Sequence, residues 1–433
     1  MYDLPLAFIE QMQRQLGPAL PDFLHTYDLP YCRGIRMRPG MDKPREALQP
    51  VPWAEHAFYL PPDSQAGALP QHEAGAYYLQ EPSAMTAAAV LHPEKGDIVL
   101  DLCAAPGGKS TQLAAYMAGC GLLICNEPVP GRAQVLSRNL ERMGAINAMV
   151  TCALPEQLSP RFAGYFDKIL VDAPCSGEGM FRKHPEARLE WQPASPEGCA
   201  QRQLHILSHA AAMLKGGGKL VYSTCTFNDT ENEGVVQAFL YSHPQFSLQP
   251  FSLPGLPANN GTLHLYPHEI AAEGHFVACF IKEETTAGKG NEKPFLLPLS
   301  KQEKLSAEIF LRDHLPCPPS VSGSFAGHAV SFPDVALPDM KGLRILRAGL
   351  QLGDIRGKIF MPDHALALAC PVYATHPVTA AEARLYQNGQ VLPCPENLSG
   401  WLCPALDGLQ LGWGKASQGQ IKNHYPKGLR KPL

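Results

Sequence analysis

The fold is indicated by the stretch KILVDAPCS, residues 168–176, in which an apolar run ends in an acid, a proline and a cysteine. An apolar run of this length, followed by proline and glycine, predicts a strand buried on both faces of a parallel sheet. A second stretch, KLVYSTCTF at residues 219–227, repeats the arrangement with Cys225. Open α/β sheets bind ligands at the carboxyl edge of their strands. We therefore expect both thiols, Cys175 and Cys225, at a ligand-binding edge.

Strand and helix patterns alternate along the middle of the chain, which predicts a doubly wound α/β sheet. A later run, HFVACFIKE, is predicted to be a strand, with an antiparallel position at the sheet's edge as one option. The strand candidates are 98–103, 122–127, 148–152, 168–174, 219–225 and 275–283, and the helical patterns fall near 109–118, 131–143, 199–214 and 231–242.

Changes in composition divide the chain into three parts. Residues 1–75 are rich in proline and begin with a helical pattern, and residues 76–284 hold the alternating strands and helices. The polar stretch EETTAGKGNEKP places a linker at 285–296, which leaves 297–433 as a separate small domain.

The composition of the 433 residues, with 45% hydrophobic and 18% charged residues, is typical of a folded globular protein. No run approaches the roughly 18 apolar residues of a membrane span, and acids stand near the start where a signal peptide would be basic. These features predict a cytoplasmic protein. Thirteen cysteines without a C-x-x-C pair argue against a disulfide framework and a zinc ribbon. His184 and His205 are interpreted as ordinary polar residues, and no metal is expected.

The net charge of -4 conceals two basic clusters. No acid follows Asp407, whereas five basic residues do, and the N-terminal part has a cluster of three arginines. For each cluster, contact with nucleic acid and solvated surface charge are both open. The clusters are Lys415, Lys422, Lys427, Arg430 and Lys431, and Arg33, Arg36 and Arg38.

A glycine-containing turn, LCAAPGGKSTQ, follows the first strand of the predicted sheet. Gly107 and Gly108 allow a ligand to approach the backbone, and the next helix offers free N–H groups. The turn is not a G-x-G-x-x-G motif, which argues against a dinucleotide. Glu127 ends the second strand, where nucleotide folds place a ribose-binding acid. The pattern favours an adenosine-containing cofactor over the alternative, a tight turn near an unrelated surface acid.

Four motifs between residues 101 and 233 resemble those of the RNA (cytosine-5) methyltransferases of the RsmB/NOP2/NSUN superfamily. They are DLCAAPGGKS, NEPVPGR, DAPCSGEGMF and STCTFNDTENE, and YYLQEPSAM at 77–85 extends the match upstream. The phrases MPDHALALA (361–369) and LGWGKASQGQIKNHYPKGLR (411–430) are similar to the bacterial RsmF branch, which modifies small-subunit ribosomal RNA. The resemblance implies a Rossmann-like class I methyltransferase domain, an N-terminal RNA-binding or substrate-positioning domain and a PUA-like C-terminal RNA-binding domain.

The resemblance also implies S-adenosylmethionine as the cofactor. Glu127 would take the ribose hydroxyls, and Asp172 would lie between cofactor and base. Near the adenine, VTCALPEQ has Cys152, Ala153 and Leu154 where a polar residue is expected, which leaves backbone groups or Glu156 as alternatives. The predicted cofactor-binding residues are Cys103, Ala104, Ala105, Pro106, Gly107, Gly108, Lys109, Glu127, Arg132 and Asp172.

The chemistry of cytosine explains a pair of thiols. Carbon 5 is too poor a nucleophile to accept a methyl group until a nucleophile adds to carbon 6, and a second group must help to remove the carbon-5 proton. The residues alone do not decide which thiol attacks, since DAPCS has the Pro-Cys form of DNA methyltransferases. The resemblance assigns attack to Cys225, product release to Cys175, and contact with the N3/N4 edge of the base to Asp172.

Two groups of residues are candidates for RNA contact. Phe181, Arg182 and Lys183 follow the DAPCSGEG loop, where a basic and aromatic tip could stack on nucleotides, with loop packing as the alternative. The second group is the C-terminal set Lys415, Lys422, Lys427 and Arg430. Arg132, Arg138 and Arg142 share a predicted helix. Approach to the cofactor or RNA is one interpretation of these arginines, and solvated helix charge is the interpretation for at least two of them.

The predicted function is therefore methylation of cytosine in RNA, with ribosomal RNA or the small ribosomal subunit as partner and a monomer as the default state. A transfer RNA methyltransferase and a non-catalytic RNA-binding assembly factor are the alternatives. A small-molecule methyltransferase would leave the basic C-terminal residues without a role.

Overall fold

The computed structural model describes residues 4–44, 46–284, 293–357 and 359–432. The N-terminal part contains two helices followed by a three-stranded antiparallel sheet of order β2-β1-β3. Its elements are α1 (Leu6–Leu16), α2 (Leu20–His25), β1 (Arg33–Met37), β2 (Ala57–Leu60), α3 (Pro70–Glu73) and β3 (Tyr77–Leu79).

The middle of the chain alternates strands and helices as predicted. Its elements are α4 (Thr86–Leu91), β4 (Ile98–Asp101), α5 (Gly108–Met117), β5 (Leu122–Asn126), α6 (Pro130–Arg142), β6 (Ala148–Thr151), α7 (Pro155–Leu158), β7 (Phe166–Asp172), α8 (Glu186–Glu190), α9 (Ser195–Met213), β8 (Leu214–Thr224), α10 (Glu233–Ser242), β9 (Phe246–Leu248), β10 (Thr262–Leu265) and β11 (His275–Lys282).

The last part is built from short strands and three helices. Its elements are α11 (Lys301–His314), β12 (Gly323–Phe325), β13 (His328–Ser331), β14 (Ile345–Ala348), β15 (Leu350–Arg356), β16 (Ile359–Pro362), α12 (His364–Ala369), β17 (Thr375–Pro377), α13 (Ala380–Asn388), β18 (Leu392–Pro393), β19 (Gly400–Leu406), β20 (Leu409–Gln410), β21 (Gly414–Ser417) and β22 (Gln420–Asn423).

The central sheet has the order β10-β11-β8-β7-β4-β5-β6-β14, with β9 also paired to β11. Strands β4 to β8 pair in parallel and form the doubly wound core, which confirms the predicted fold class. Strand β11 is antiparallel to β8, but β10 and β9 pair with its other side, so β11 is not the edge. Strand β14 comes from the chain beyond the predicted linker and pairs with β6.

Both faces of the parallel strands are buried, because helices cover the sheet on each side. Successive side chains point to opposite faces, so each strand contributes to both cores. On one face, Leu100, Ile124 and Ile169 belong to a core that α9 and α10 cover. On the other face, Val99 and Leu170 pack with residues of α4, α5 and α6. This two-sided burial explains why the strands appear in the sequence as continuous apolar runs.

The C-terminal part forms a four-stranded sheet of order β12-β13-β15-β16 and a six-stranded sheet of order β17-β19-β21-β22-β18, in which β20 also pairs with β19. The second of these sheets shares a hydrophobic core with the N-terminal sheet. Ile35 and Tyr77 of the N-terminal sheet are in one buried cluster with Tyr386, Leu402 and Ile421. The chain's two ends are therefore packed against each other.

Of the predicted linker, residues 285–292 lie outside the described residues, and 293–296 lead toward α11. No helix among the described residues has the length and apolar character that crossing a membrane requires.

The three arginines of the N-terminal cluster donate hydrogen bonds to oxygen atoms of the protein itself. Arg36 is buried and donates hydrogen bonds to the Thr111 hydroxyl and the Gly108 carbonyl of α5. Arg33 donates to the carbonyls of Pro62 and Ser64. Arg38 donates to the carbonyl of Leu368 at 2.8 Å. Arg36 and Arg38 thus fix the N-terminal sheet to α5 and α12, whereas Arg33 bonds within the N-terminal part. Contact of the half-buried Arg33 and Arg38 with nucleic acid stays a prediction.

Candidate active site

The two thiols meet because β7 and β8 are parallel neighbours in the sheet. The register places Asp172 opposite Ser223, so the chain leaves both strands at the same edge. Cys175 follows three residues after Asp172, and Cys225 two residues after Ser223. Their Sγ atoms lie 3.3 Å apart.

A buried network of hydrogen bonds joins the loops that carry the thiols. The hydroxyls of Ser176 and Thr226, the residues that follow the two cysteines, are 2.8 Å apart. The Glu231 carboxylate is fully buried and accepts from the Ser176 N–H at 3.0 Å and from its hydroxyl. Gln203 donates to Glu231 at 2.8 Å and to the carbonyl of Pro174 at 3.0 Å. We call these five residues the loop clamp, since they fix one thiol loop against the other.

Asp172, at the end of β7, is held in its ionised form. Lys109 Nζ lies 2.8 Å from one carboxylate oxygen, and the Ser223 hydroxyl donates to the other at 2.8 Å. His275 Nε2 lies 3.6 Å from that second oxygen. Burial by itself would raise the pKa of Asp172, but the charge of Lys109 and the contact with His275 outweigh it and hold the pKa well below its usual range. Lys109, predicted to contact the cofactor, is therefore bound to Asp172.

A cleft of about 250 Å³ opens beside Asp172. Cys225 lines this cleft, whereas Cys175 is not among its lining residues. Six of the seven residues of the predicted cofactor loop, Cys103 to Lys109, also line it. The lining includes Tyr78, Gln80, Glu81, Asp101, Cys103, Ala104, Ala105, Pro106, Gly108, Lys109, Asp172, Lys183, Cys225 and His275. The predicted cofactor loop and Cys225 therefore line the same cleft.

Gly107 is the predicted loop residue that does not line the cleft. Its φ of 112° lies in the left-handed region that favours glycine. A Cβ at this position would be 3.3 Å from Leu136 and 3.4 Å from Asn139, both on α6. Gly107 therefore allows the turn and its close packing against α6, and approach of a ligand to this loop stays a prediction.

Glu127 and Arg132 are brought together beside the same loop. Glu127 is buried at the end of β5, and its carboxylate accepts from the N–H of Val129 and pairs with Arg132 at 3.3 Å. Arg132 also donates to the carbonyl of Ala105 at 3.2 Å. The pair links the predicted ribose acid to the cofactor loop.

The stretch after β6 has no polar side chain at positions 152–154, where one is expected near the adenine. Ala153 is buried, and the amide side chain of Asn126 bonds to its backbone N–H and carbonyl. Leu154 is 49% exposed. Glu156, an alternative adenine contact, lies instead 3.6 Å from His205 of α9.

The environment of Cys175 favours its protonated form. Its hydrogen bond with Cys225, then burial, then the charges of Cys225 and Glu231 raise the pKa of Cys175 well above its ordinary value. Cys175 therefore remains a thiol at neutral pH and can donate its S–H to the sulfur of Cys225.

The N-terminal helices support both thiol loops from outside. Phe8 of α1 packs at 5.1 Å from the ring of Phe181, and Phe23 of α2 at 5.3 Å from that of Phe227. Gln11 donates to the buried carboxylate of Glu178, whose pKa burial raises to about 7. The helical start of the chain is thus part of the site's framework.

The predicted RNA-contacting tip is only partly available for contact. Phe181 is fully buried, so the prediction that its ring stacks on a nucleotide is wrong, because the ring packs in an aromatic cluster. Arg182 pairs with Glu273 and donates to the carbonyls of Thr26 and Ala272, so it too has a structural role. Lys183 is exposed and lines the cleft.

A basic surface lies on the last two strands of the C-terminal sheet. Lys415 of β21 and Lys422 of β22 face each other directly across the strand pair. Like charges in this position are unfavourable for a sheet. Lys415 also lies over the ring of Trp401, with Nζ 5.6 Å from its centroid. Lys427 and Arg430 are exposed in the segment that follows.

Sequence reasoning missed the residues that position the thiols. Glu231, Gln203 and His275 are 6, 22 and 50 residues away from Cys225 in the chain. The folded sheet brings them close to the thiol loops and to Asp172. Glu231 lies in the motif STCTFNDTENE, but Asp229 and Glu233 are acids of the same stretch, so no signal in the sequence distinguishes Glu231.

The sheet order, the cofactor loop and the paired thiols define a Rossmann-like methyltransferase of the two-cysteine type. Family models for this class match nearly all parts of the chain. Residues 88–281 match the 16S rRNA methyltransferase RsmB/F model and residues 4–82 the N-terminal domain of 16S rRNA methyltransferase RsmF. Residues 310–370 match the first C-terminal domain of RsmF rRNA methyltransferase, and residues 373–431 the RsmF PUA domain.

Relatives and solved structures agree with these matches. The ribosomal RNA small subunit methyltransferase F of Erwinia tasmaniensis is 31% identical, covering 98% of this chain and 96% of its own. That of Vibrio parahaemolyticus is 32% identical, covering 98% and 97%. A methyltransferase homologue from Pyrococcus horikoshii superposes with a TM-score of 0.53 at 27% identity, covering 64% of this chain and 100% of its own. NSun6 from the same organism, at 20% identity, has the same fold with a TM-score of 0.57 over 65% and 99% of the two chains.

The chain belongs to the RsmF family of ribosomal RNA small-subunit methyltransferases.

Replacing Cys225 by alanine is expected to lower the pKa of Cys175, because the hydrogen bond and charge of Cys225 are among the causes that raise it. The alkylation rate of Cys175 with iodoacetamide, followed by mass spectrometry as a function of pH, should reach its midpoint at lower pH than in the unchanged protein. Cys199 is an internal control, since burial and not Cys225 raises its pKa. An unchanged or higher midpoint for Cys175 would contradict the coupling of the two thiols.

Replacing Glu231 by alanine is expected to reduce the turnover number for methyl transfer about tenfold or more, which corresponds to roughly 1.4 kcal/mol of barrier. Two donors of Ser176 and one of Gln203 would lose their acceptor, so the thiol loops would lose their fixed relation. Cofactor affinity, measured by calorimetry, should stay near that of the unchanged protein.

Glu233→Gln is the matched control, because the Glu233 carboxylate bonds to His264 and is not part of the loop clamp. Equal turnover for Glu231→Ala and Glu233→Gln would show that the loop clamp has no role in the reaction.

Proposed function

We propose that this protein transfers a methyl group from S-adenosylmethionine to carbon 5 of a cytosine in small-subunit ribosomal RNA. The observation that carries the proposal is the meeting of two thiols, 3.3 Å apart, beside a cleft that also contains Asp172 and the cofactor loop. The names of the relatives support the substrate, since those proteins are methyltransferases of the small ribosomal subunit RNA.

The residues of the cleft suit S-adenosylmethionine. Asp101 is fully buried, and its Oδ2 accepts from the Ser110 hydroxyl, while its Oδ1 has no hydrogen-bond partner among the described residues. Burial raises the pKa of Asp101 to about 7. A cationic amino group beside Oδ1 would favour the ionised form and satisfy the free oxygen. When bound, the cofactor supplies an electrophilic methyl group, and the Glu127 carboxylate is the candidate partner of its ribose.

Cys225 is the nucleophile in this proposal. Its sulfur faces the cleft and, as a thiolate, forms a bond to carbon 6 of the cytosine, which places the electron pair of the former double bond at carbon 5. Asp172 is held ionised by Lys109, so its carboxylate can accept a hydrogen bond from the exocyclic amino group of the base. This contact orients the ring and selects an amino group over a carbonyl.

Cys175 assists the second half of the reaction. While Cys225 is free, its hydrogen bond and charge raise the pKa of Cys175 and keep it protonated. Once the sulfur of Cys225 is bonded to carbon 6, those two causes are gone, so Cys175 can release its proton to water. The resulting Cys175 thiolate then removes the carbon-5 proton. Loss of that proton restores the ring double bond and expels Cys225 as a thiolate.

The basic surface of the C-terminal sheet supports an RNA substrate, and a monomer in the cytoplasm is part of the same proposal. The basic surface of β21 and β22 keeps two unfavourable lysines opposite each other, which a polyanionic partner would neutralise. A non-catalytic assembly factor would have no use for the paired thiols or for the loop clamp. Transfer of a labelled methyl group to unmodified ribosomal RNA, small-subunit particles and transfer RNA tests activity and substrate together, and labelling of transfer RNA alone would overturn the ribosomal assignment.

The roles of the two thiols are separable by trapping the covalent species. Cys175→Ala should still form the bond between Cys225 and carbon 6 but resolve it slowly, so enzyme and RNA should accumulate as a slower-migrating band on a denaturing gel. Cys225→Ala should form no band, and the double variant should behave like it.

Both single variants should bind S-adenosylmethionine with nearly unchanged affinity, which calorimetry checks. A band from Cys225→Ala and none from Cys175→Ala would reverse the two roles. Full methylation by Cys225→Ala would overturn the covalent route.

Neutralising Lys415, Lys422, Lys427 and Arg430 should weaken RNA binding and flatten its salt dependence, because each lost phosphate contact lowers the slope of log K against log salt by about one. Binding titrations at several salt concentrations measure the slope. Neutralising Lys301 and Lys304, exposed on α11, is the control and should leave the slope unchanged. Equal slopes for the two sets of variants would remove the basic surface from the RNA interface.

A further inference from the structure

Three side chains with metal-ligating atoms meet on the surface where α7 and α9 pack together. Glu156 begins this cluster at the first turn of α7, and His205 and His209 are four residues apart on α9, which puts them on one face of the helix. One ligand atom from each of the three lies within 4.8 Å of the others. His205 Nε2 is 3.6 Å from the Glu156 carboxylate. None of the three lines the candidate active-site cleft.

The donor atoms indicate the class of ion. Two imidazole nitrogens and one carboxylate oxygen suit borderline transition metals such as Zn²⁺, whereas Ca²⁺ and Mg²⁺ prefer oxygen ligands alone. Among the described residues, a second cluster joins Asp229, Glu233 and His264, but it has one imidazole, and His264 is already hydrogen-bonded to Glu233. The cluster at α7 and α9 is therefore the stronger candidate for a transition metal.

A buried hydroxyl orients one of the imidazoles. Ser159 is 8% exposed, and its Oγ lies 2.8 Å from Nδ1 of His209. When Nδ1–H donates to Ser159, the remaining ring nitrogen of His209, Nε2, is unprotonated and available as a ligand. Metal-binding histidines commonly have such a partner on the second nitrogen, and its loss weakens metal affinity. The contact between Ser159 and His209 therefore supports a metal site independently of the spacing of the three ligands.

We infer that Glu156, His205 and His209 form a binding site for a divalent transition ion of the Zn²⁺ class. The three protein ligands leave the fourth position of a tetrahedral site to water or to an external ligand. The bound ion would join α7 to α9 and so stabilise the folded protein. His205 has a second imidazole one helical turn away, so the proposed ion is at variance with the expectation that the protein binds no metal.

The test is metal binding by the full-length protein. Competition with a chromophoric chelator measures the affinity for Zn²⁺, and Co²⁺ spectra separate this site from cysteine sites, because nitrogen and oxygen ligands give no thiolate charge-transfer band. The double variant His205→Ala, His209→Ala should lose one equivalent of metal without a thiolate signal. Ser159→Ala should keep the ligands but lower the affinity about ten- to a hundredfold.

His25→Ala is the control, since His25 is exposed and lies 3.7 Å from Asp28 but belongs to no group of three ligands among the described residues. It should bind metal like the unchanged protein. Equal stoichiometry and affinity in the unchanged protein and the double variant would overturn the inference. A second result would also overturn it: the Zn²⁺ affinity falls when the histidines are replaced but is unchanged in Ser159→Ala and Glu156→Gln. That result would mean that the two histidines on one helix chelate the ion adventitiously. Circular dichroism of each variant verifies that it is folded.

Discussion

The parallel pairing of β7 with β8 is the constraint on which the site depends. Its register sets Asp172 beside Ser223, and the chain then leaves both strands in the same direction, so the two cysteines arrive within 3.3 Å of each other. A register shift of one residue would turn each side chain to the other face of the sheet. The shift is opposed by the apolar side chains of both strands, which are buried on both faces. Catalytic geometry is therefore a consequence of core packing.

Asp172 connects the two halves of the proposed chemistry. Its carboxylate is bound by Lys109, from the helix that follows the cofactor loop, and by Ser223, from the strand that leads to Cys225. The Asp172 carboxylate lines the cleft between the cofactor loop and Cys225. Its negative charge therefore acts on both the proposed cofactor and the proposed base. The buried Glu231 acts behind this surface, where it fixes the loops and has no access to the cleft.

The alternation of strands and helices could be predicted because the parallel strands are buried on both faces and the helices are amphipathic. The cysteines, Asp172 and the loop before α5 were predictable because they follow strand ends. Predictions failed where a residue's surroundings come from distant parts of the chain. Phe181 has the composition of an exposed tip, yet Phe8 and Trp191 cover its ring. Arg36 resembles a surface cation, yet it lies under α5. Strand β14 was not predicted at all, because its pairing with β6 depends on a chain reversal after the linker.

Arg36 of β1 and Arg38, which follows that strand, give the N-terminal part a role in the geometry of the whole molecule. Arg36 bonds to backbone and side-chain oxygens at the start of α5, beside the cofactor loop, while Arg38, two residues later, bonds to the carbonyl end of α12 in the C-terminal part. The N-terminal sheet and the C-terminal sheet also share one hydrophobic core. Because the Arg36–Thr111 bond and the shared core are buried, the basic surface of β21 and β22 cannot shift far from the cleft without breaking them. The distance between the proposed RNA-binding surface and the thiols is thus set by the fold, and an RNA held at that surface reaches the cleft in a restricted range of positions.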